Sequence, residues 1–120
     1  MIITSRRFIE ADAAEVSALI TKTLRITNSK DYSPEYIEKD VAQFTPEKVV
    51  ERASWTHFYV FCDGAKIVGS GAIGPYWGSE TESSLFNIFV LPEYQGKGVG
   101  RKIIETLETD EYALRAKRIE

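Results

Sequence analysis

The sequence is poor in the residues that bind metals or form disulfides. Its 120 residues include one cysteine, Cys62, and one histidine, His57. A lone cysteine cannot form an internal disulfide and favours a reducing compartment, so we expect a cytoplasmic protein. One histidine and one cysteine make no metal site. In a regular strand their spacing also places them on opposite faces, which argues against a cysteine–histidine nucleophile.

Excess positive charge and long apolar runs are also missing. Lys and Arg total 15 against 18 Asp and Glu, which gives a net charge of −3. This balance argues against nucleic-acid binding through bulk electrostatics. No apolar run approaches the ~20 residues of a transmembrane helix. Arg6, Arg7 and Glu10 interrupt the N-terminal apolar residues too early for a signal peptide. We expect no nucleic-acid partner and no membrane.

Apolar periodicity predicts a mixed α/β (α+β) fold. A first strand at residues 1–8 precedes two or three helices with apolar residues at helical spacing. Asp63-Gly64 then separates two aromatic and β-branched runs, His57–Cys62 and Lys66–Ile73. This arrangement predicts a hairpin with a type I′ turn. Both faces of the first run are bulky, so we expect helices on both faces of the sheet.

Two of the predicted helices begin with capping signals. Asp12 is a candidate N-cap residue, with Glu15 three positions later as in a capping box. Thr45 precedes Pro46, and proline is favoured at the first position of a helix. We therefore expect helices to begin just after Asp12 and Thr45.

The most informative stretch runs from Ser83 to Leu107. An apolar strand, Ser84–Leu91, is followed by the loop Gln95-Gly96-Lys97-Gly98-Val99-Gly100 and then by a helix predicted to reach about Arg115. Glycines let a backbone turn sharply and approach a ligand closely. A helix start leaves about four N–H groups unpaired at the positive end of its dipole. The stretch therefore predicts a cradle for a phosphate or pyrophosphate.

Three types of phosphate loop compete for this stretch. A Walker loop would need glycine at position 91, which is Leu91, and Ser or Thr after Lys97. A dinucleotide loop needs G-x-G-x-x-G, but Gly96, Gly98 and Gly100 give G-x-G-x-G. Neither pattern fits.

The third type is the loop of the GNAT superfamily of N-acetyltransferases, written Gln/Arg-x-x-Gly-x-Gly/Ala. Residues 95–100 match every position, after an apolar strand and before an amphipathic helix. The order of elements is similar as well, so residues 1–120 resemble a single GNAT-like domain. The resemblance implies a mixed, mostly antiparallel central sheet with helices on both faces. It also implies that the family's C-terminal strand-helix-strand portion is lacking here. Two alternatives stay open: the chain is truncated, or it is a short form whose sheet is completed in a homodimer.

Acetyl-coenzyme A is the co-substrate that this resemblance implies, without a metal. In the family, backbone amides of the loop hold the pyrophosphate, and the preceding strand pairs with the pantetheine arm. Carried over by position, the cofactor-binding residues are Phe89, Val90, Leu91, Gln95, Gly96, Lys97, Gly98, Val99, Gly100 and Arg101.

By resemblance the activity is N-acetyl transfer to an amine of a small molecule or protein, by direct attack on the thioester. The Val90 N–H would be the oxyanion donor. The family's usual carboxylate is absent from Ser84–Val90, so the general base stays unknown. Asn87 is the polar residue in the middle of this strand; it either positions a water or is a hydrogen-bonded core residue. In the family a tyrosine often acts as the general acid that protonates the leaving thiolate. This tyrosine has no counterpart here, since neither Tyr94 nor Tyr112 occupies its place.

The acceptor side is less defined. Tyr32, Tyr76 and Trp77 are candidates for lining an acceptor pocket, and anchoring of their loops is the alternative. The missing base and tyrosine also favour an alternative function. The chain would then be a non-catalytic acyl-coenzyme A binding or sensing module, or an incomplete fragment that is active only when paired.

Overall fold

The chain forms a five-stranded sheet in the order β1-β2-β3-β4-β5. A computed structural model describes residues 2–27, 30–75, 82–115 and 118–119. The strands are β1 (Ile3–Arg7), β2 (His57–Asp63), β3 (Lys66–Pro75), β4 (Glu82–Val90) and β5 (Arg118–Ile119). The first four pair antiparallel with their neighbours, and β5 pairs parallel with the start of β4. The predicted α+β sheet is confirmed.

The described residues include five α-helices beside the sheet. They are α1 (Ala13–Thr27), α2 (Pro34–Val41), α3 (Pro46–Ala53), α4 (Val99–Glu108) and α5 (Glu111–Arg115). Thr45 caps α3 as predicted, since its hydroxyl accepts a hydrogen bond from the Lys48 N–H. No helix among the described residues is long and apolar enough to cross a membrane.

The helix α1 begins at Ala13, directly after Asp12 as predicted, but the predicted capping role of Asp12 is wrong. Its carboxylate receives both terminal nitrogens of Arg6 at 2.8 Å and the backbone N–H of Ile9 at 2.9 Å, so it faces the preceding turn. The Arg6 guanidinium holds the pKa of Asp12 below its usual range. Glu15 makes no capping box either, because its carboxylate accepts the Ile67 N–H at the start of β3.

The predicted hairpin between β2 and β3 is confirmed, but its turn type is wrong. Asp63 pairs with Lys66, so the two central residues are Gly64 and Ala65. Gly64 has a φ of 62°, and Ala65 does not have a positive φ. A type I′ turn requires positive φ at both positions.

Helices cover both faces of the sheet, as expected. Consecutive β3 residues point to opposite faces, yet Ile67 and Val68 are both buried, as are Ala72 and Ile73. The helix α4 approaches one of these faces closely at Gly71. A Cβ atom there would lie 2.6 Å from Cγ2 of Ile103, so only glycine allows this packing.

A single helix from Val99 to about Arg115 was predicted, and this prediction is wrong. The helix α4 ends at Glu108, and α5 begins at Glu111. Between them the side chain of Asp110 is 2% exposed. Leu114, at helical spacing from Leu107, is 74% exposed and outside the core.

The break in the helix places Asp110 against β2. Nδ1 of His57 lies 2.9 and 3.0 Å from its two carboxylate oxygens, and the Tyr59 hydroxyl donates a short hydrogen bond to one of them. Burial, and secondly this carboxylate, raise the pKa of Tyr59 to about 12. The cluster fastens the end of α4 to the sheet.

We predict that Ile103→Ala destabilises the fold by about 2–5 kcal/mol, because Ile103 is fully buried and its truncation leaves a cavity against β3. Its neighbour Ile104, 36% exposed, is the matched control. Ile104→Ala should cost about 1 kcal/mol or less. Urea unfolding of the two variants measures the difference. Equal losses would contradict the packing of α4.

We also predict that Tyr59 contributes stability that is lost at high pH. Its folded pKa of about 12 lies above its ordinary value, so the contribution is complete below pH 10 and disappears as the pH rises toward 12. The unfolding free energy of the wild type should therefore fall relative to that of Tyr59→Phe across this interval. Parallel pH profiles in urea unfolding would refute the raised pKa of Tyr59.

Candidate functional site

The site begins where β4 turns into the glycine loop. The Leu91 N–H donates to the Val68 carbonyl at 2.9 Å, and the Leu91 carbonyl accepts the Tyr94 N–H at 2.9 Å. Pro92 opens a single 3₁₀ turn, Pro92–Tyr94, at the point where it would remove a donor from a continuing strand. The turn directs the chain from the sheet edge to the start of α4.

The loop has the backbone of a ligand cradle. Gly96 and Gly98 have φ angles of 76° and 86°, in the left-handed region that favours glycine. Gly98 is the N-cap residue of α4 and, without a side chain, leaves the first N–H groups of the helix unoccupied. Cβ atoms built at Gly96, Gly98 and Gly100 would meet nothing within 4 Å. The loop therefore has open space directly against its backbone.

Three basic side chains lie in or near the loop. Nζ of Lys97 lies 5.9 Å from the centre of the Tyr94 ring, and Nζ of Lys66 lies 5.4 Å from the same centre. The Tyr94 hydroxyl donates to Asp63 at 2.8 Å, which fixes the ring beneath the two lysines. Arg101 is exposed on the first turn of α4. The loop thus combines a helix start with positive charge.

One edge of β4 is open beside the loop. Among the described residues, β5 pairs only with Glu82 and Ser83, so the edge from residue 85 to residue 90 has no strand partner there. The Leu91 N–H points to β3, and successive N–H groups of a strand point in opposite directions. The Val90 N–H therefore points toward the open edge.

The Val90 carbonyl accepts a hydrogen bond from Nε2 of Gln95 at 3.3 Å, and Nε2 also lies 3.3 Å from the Thr27 hydroxyl. The Thr23 hydroxyl lies 3.3 Å from the same carbonyl, although its shorter bond, at 2.8 Å, is to the Leu19 carbonyl in its own helix. The end of α1 is thereby tied to the loop. Thr23 was not predicted as a site residue, since it occupies one position in an otherwise ordinary helical pattern.

A β-bulge interrupts β4 near its middle. Ser70 pairs with Phe89 and Ala72 with Phe86, so two β4 residues face one β3 residue. Asn87, one of the two, has a φ of 52°. Its carbonyl accepts the buried Ser70 hydroxyl at 2.8 Å. The bulge therefore sets the direction of the strand half that carries Val90.

The side chain of Asn87 was expected either to position a water or to be hydrogen-bonded in the core, and the structure shows one hydrogen bond to it. Its Oδ1 accepts a hydrogen bond from Arg52 at 3.0 Å, while its buried Nδ2 has no hydrogen-bond partner in the part of the chain that is described. Arg52 is a second site residue that the sequence did not indicate. A single arginine in the last turn of a helix carries no local signal.

Tyr32 lies at the entrance to α2, away from the bulge in sequence. It is 49% exposed and stacks on Tyr36 with ring centres 4.7 Å apart. With Arg25 and Ile37 it lines a shallow pocket of about 170 Å³. Tyr76 and Trp77, the other predicted acceptor residues, lie outside the described residues.

The histidine and the cysteine serve the fold. His57 contacts Asp110, and burial raises the pKa of the Cys62 thiol, which disfavours a reactive thiolate. Within the described ranges, no three His, Cys, Asp or Glu side chains are grouped to hold a metal ion.

Comparison with known proteins agrees with this geometry. The acetyltransferase (GNAT) family pattern matches residues 21–120, so the chain belongs to that family. The predicted resemblance is confirmed. No curated protein sequence matches the chain.

Similar solved structures share the fold. A PaiA N-acetyltransferase from Thermoplasma acidophilum, in complex with coenzyme A, has a TM-score of 0.78 at 21% identity, over 90% of this chain and 70% of that chain. A GCN5-related N-acetyltransferase from Rhodopseudomonas palustris gives 0.71 at 23%, over 90% and 66%. A GNAT acetyltransferase from Brucella melitensis, with acetyl-coenzyme A, gives 0.67 at 24%, over 88% and 66%. The chain thus spans about two thirds of their lengths.

We predict that Gly98→Ala lowers the unfolding free energy by about 1–2 kcal/mol, because alanine is strained at positive φ. Gly100→Ala is the matched control, since Gly100 lies in α4 with open space around its Cβ position. There alanine should leave stability unchanged or raise it by up to about 1 kcal/mol. Thermal unfolding measures both, and equal losses would contradict the loop conformation.

Proposed function

We propose that the chain is an acetyl-coenzyme A-dependent N-acetyltransferase that acts on an amine of a small molecule or protein. The observation that carries the proposal is the open edge of β4 at Val90 running directly into the open glycine loop. A cofactor with a pyrophosphate and an extended arm fits these two features in that order. Family relatives in complex with coenzyme A and acetyl-coenzyme A support the choice.

In this proposal the loop holds the pyrophosphate. Backbone N–H groups from Gln95 to Arg101 donate to its oxygens, and the positive end of α4 favours its charge. The open space at the three loop glycines lets the phosphates approach the backbone. Lys97 and Arg101 add positive charge beside them. No part of this assignment needs a metal.

The pantetheine arm follows the strand. Peptide-like amides of an extended arm pair with an open sheet edge as an added strand does. Phe89, Val90 and Leu91 form the corresponding part of β4, and the outward N–H of Val90 is its donor. Both backbone groups of Leu91 are bonded within the chain, so Leu91 supports Val90 rather than offering a donor itself.

The reaction is direct attack. The amine nitrogen bonds to the acetyl carbon, the carbon–sulfur bond breaks, the amine loses a proton and the thiolate takes one up. The Val90 N–H stabilises the negative charge that develops on the acetyl oxygen. Asn87 is a weaker candidate for a catalytic role, since its Oδ1 is already bonded to Arg52. Tyr32, Tyr76 and Trp77 remain the proposed acceptor-side residues.

Two further proposals concern the oligomeric state and the cellular compartment. The part of the open β4 edge that precedes Phe89 suits pairing with a second copy, since unpaired strand edges favour association, and such pairing leaves the Val90 N–H to the pantetheine arm. Light scattering would give twice the 13.6 kDa mass of one chain if the homodimer forms. The single free thiol, Cys62, suits a reducing cytoplasm.

We predict that the protein binds coenzyme A and releases its thiol from acetyl-coenzyme A when a suitable amine is added. Gly98→Asp should weaken coenzyme A binding by tenfold or more, about 1.4 kcal/mol, because it strains the loop and places a carboxylate beside the phosphates. Calorimetry measures the affinity, and an assay for free thiol measures turnover.

Gly64→Asp is the matched control for this experiment. Gly64 also has positive φ and open space around its Cβ position, but it lies in the β2–β3 turn outside the loop. It should cost similar stability and leave coenzyme A affinity nearly unchanged. Unchanged affinity in Gly98→Asp would reject the loop assignment. Binding without turnover against a broad amine panel would favour the sensing module.

A further inference from the structure

We propose that Arg52 binds a carboxylate of the acceptor, so that the amine substrate is an amino acid or another amine with a nearby carboxylate. The inference rests on the proposed acetyl transfer and names the class of acceptor. It concerns a side chain that lies beside the bulge of β4 and has no part in holding coenzyme A.

The positive charge of Arg52 has neutral partners. Its guanidinium carbon lies 5.7 Å from the centre of the Trp55 ring and 5.6 Å from that of Phe86, and the two rings meet edge to face. The remaining contact of its head group is the hydrogen bond to Oδ1 of Asn87. Among the described residues Arg52 forms no ion pair, whereas Arg6 and Arg25 each pair with a carboxylate.

These contacts fix the guanidinium without neutralising it. Two aromatic faces and an amide oxygen hold a planar group in one orientation. One terminal nitrogen is used, and the other N–H donors of the fork remain available. A fixed guanidinium fork is the side chain that matches a carboxylate, by two parallel hydrogen bonds. Half-burial of Arg52 makes such a bond stronger than one in bulk water.

The location is that of an acceptor rather than of the cofactor. Asn87 precedes Val90 by three residues, a distance of about 10 Å along a strand. The pyrophosphate cradle lies on the other side of Val90, in the loop after the strand. An acceptor whose carboxylate binds Arg52 therefore has its amine near the outward N–H of Val90, provided that only a few bonds separate its carboxylate from its amine.

A second pocket, of about 170 Å³, lies between β4 and α4. It is lined by Leu85, Ile104, Leu107 and Glu108, so its one charged side chain is negative and would repel a carboxylate. The bulge also leaves the Asn87 Nδ2 as an unpaired donor beside the guanidinium, which adds to the donor character of the Arg52 side. The same charge disfavours acceptors that carry a second positive group.

The test compares amine pairs that differ in one charge. The first pair is L-leucine and L-leucinamide, which tests a free amino acid as the acceptor. The second pair is the peptides Ala-Glu-Ala and Ala-Gln-Ala, amidated at their C-termini, which tests a protein N-terminus. The wild type should prefer the carboxylate member of at least one pair by about 10- to 100-fold in kcat/KM, the effect of a charge-assisted hydrogen bond. The leucinamide amine is less basic, so a larger fraction of it is uncharged at neutral pH, and this works against the expected preference.

Arg52→Gln should abolish the preference, and Arg52→Lys should retain part of it. Arg7→Gln is the matched control, because Arg7 also stacks on a ring, at 5.4 Å from the centre of Tyr59, but lies on the opposite edge of the sheet. It should keep the preference. If Arg52→Gln does not fold, Asn87→Asp replaces it, since a carboxylate at that position neutralises Arg52 in place.

A second measurement does not depend on turnover. When the coenzyme A-bound wild type is titrated with each pair in a calorimeter, it should bind the carboxylate member more tightly. Arg52→Gln should lose this difference in affinity and keep the wild-type affinity for coenzyme A. Equal binding of both members of every pair by the wild type, or a preference that survives in Arg52→Gln, would overturn the inference. Loss of coenzyme A binding by the wild type would instead refute the proposed function.

Discussion

The site depends on one constraint: β4 shares hydrogen bonds along only one edge between residues 85 and 90, as far as the structure describes its neighbours. Buried backbone groups require partners, so an open edge has to be stabilised without being closed. Nε2 of Gln95 donates to the Val90 carbonyl, and the Leu91 N–H bonds to β3. The Val90 N–H remains directed outward. The edge therefore keeps one donor available while the rest of the strand end is fixed.

The packing of α4 on one face of the sheet stabilises the region beside the same edge. Gly71 lets Ile103 approach the sheet so closely that no side chain fits between them. At the far end of the helix, Asp110 contacts His57 and Tyr59 on β2. With both positions fixed, the start of α4 cannot move independently of the sheet. A loop with two left-handed glycines thus has a defined backbone even without a ligand.

The parts predicted from the sequence are those built from neighbouring residues. The loop from Gln95 to Gly100 lies in one segment, and its glycine spacing, together with Gln95 and the residue after Lys97, is enough to compare it with three kinds of phosphate loop. Thr45 caps α3 because its hydroxyl reaches an N–H three residues away. Asp12 has the same local signal, but Arg6 binds its carboxylate at 2.8 Å in two places and turns it away. A local preference of about 1 kcal/mol loses to such a pair.

The parts that were missed join distant segments. Asn87 gives no sign of a bulge in the sequence, because the groups that stabilise its backbone, Ser70 and Arg52, come from β3 and α3. This difference separates the two halves of the site. The half proposed to hold acetyl-coenzyme A is a strand, a loop and a helix start in one continuous stretch, so it can be predicted from the sequence pattern. The acceptor half that we propose lies where α3 meets β4, beside the charge of Arg52, which Trp55 and Phe86 orient but do not neutralise.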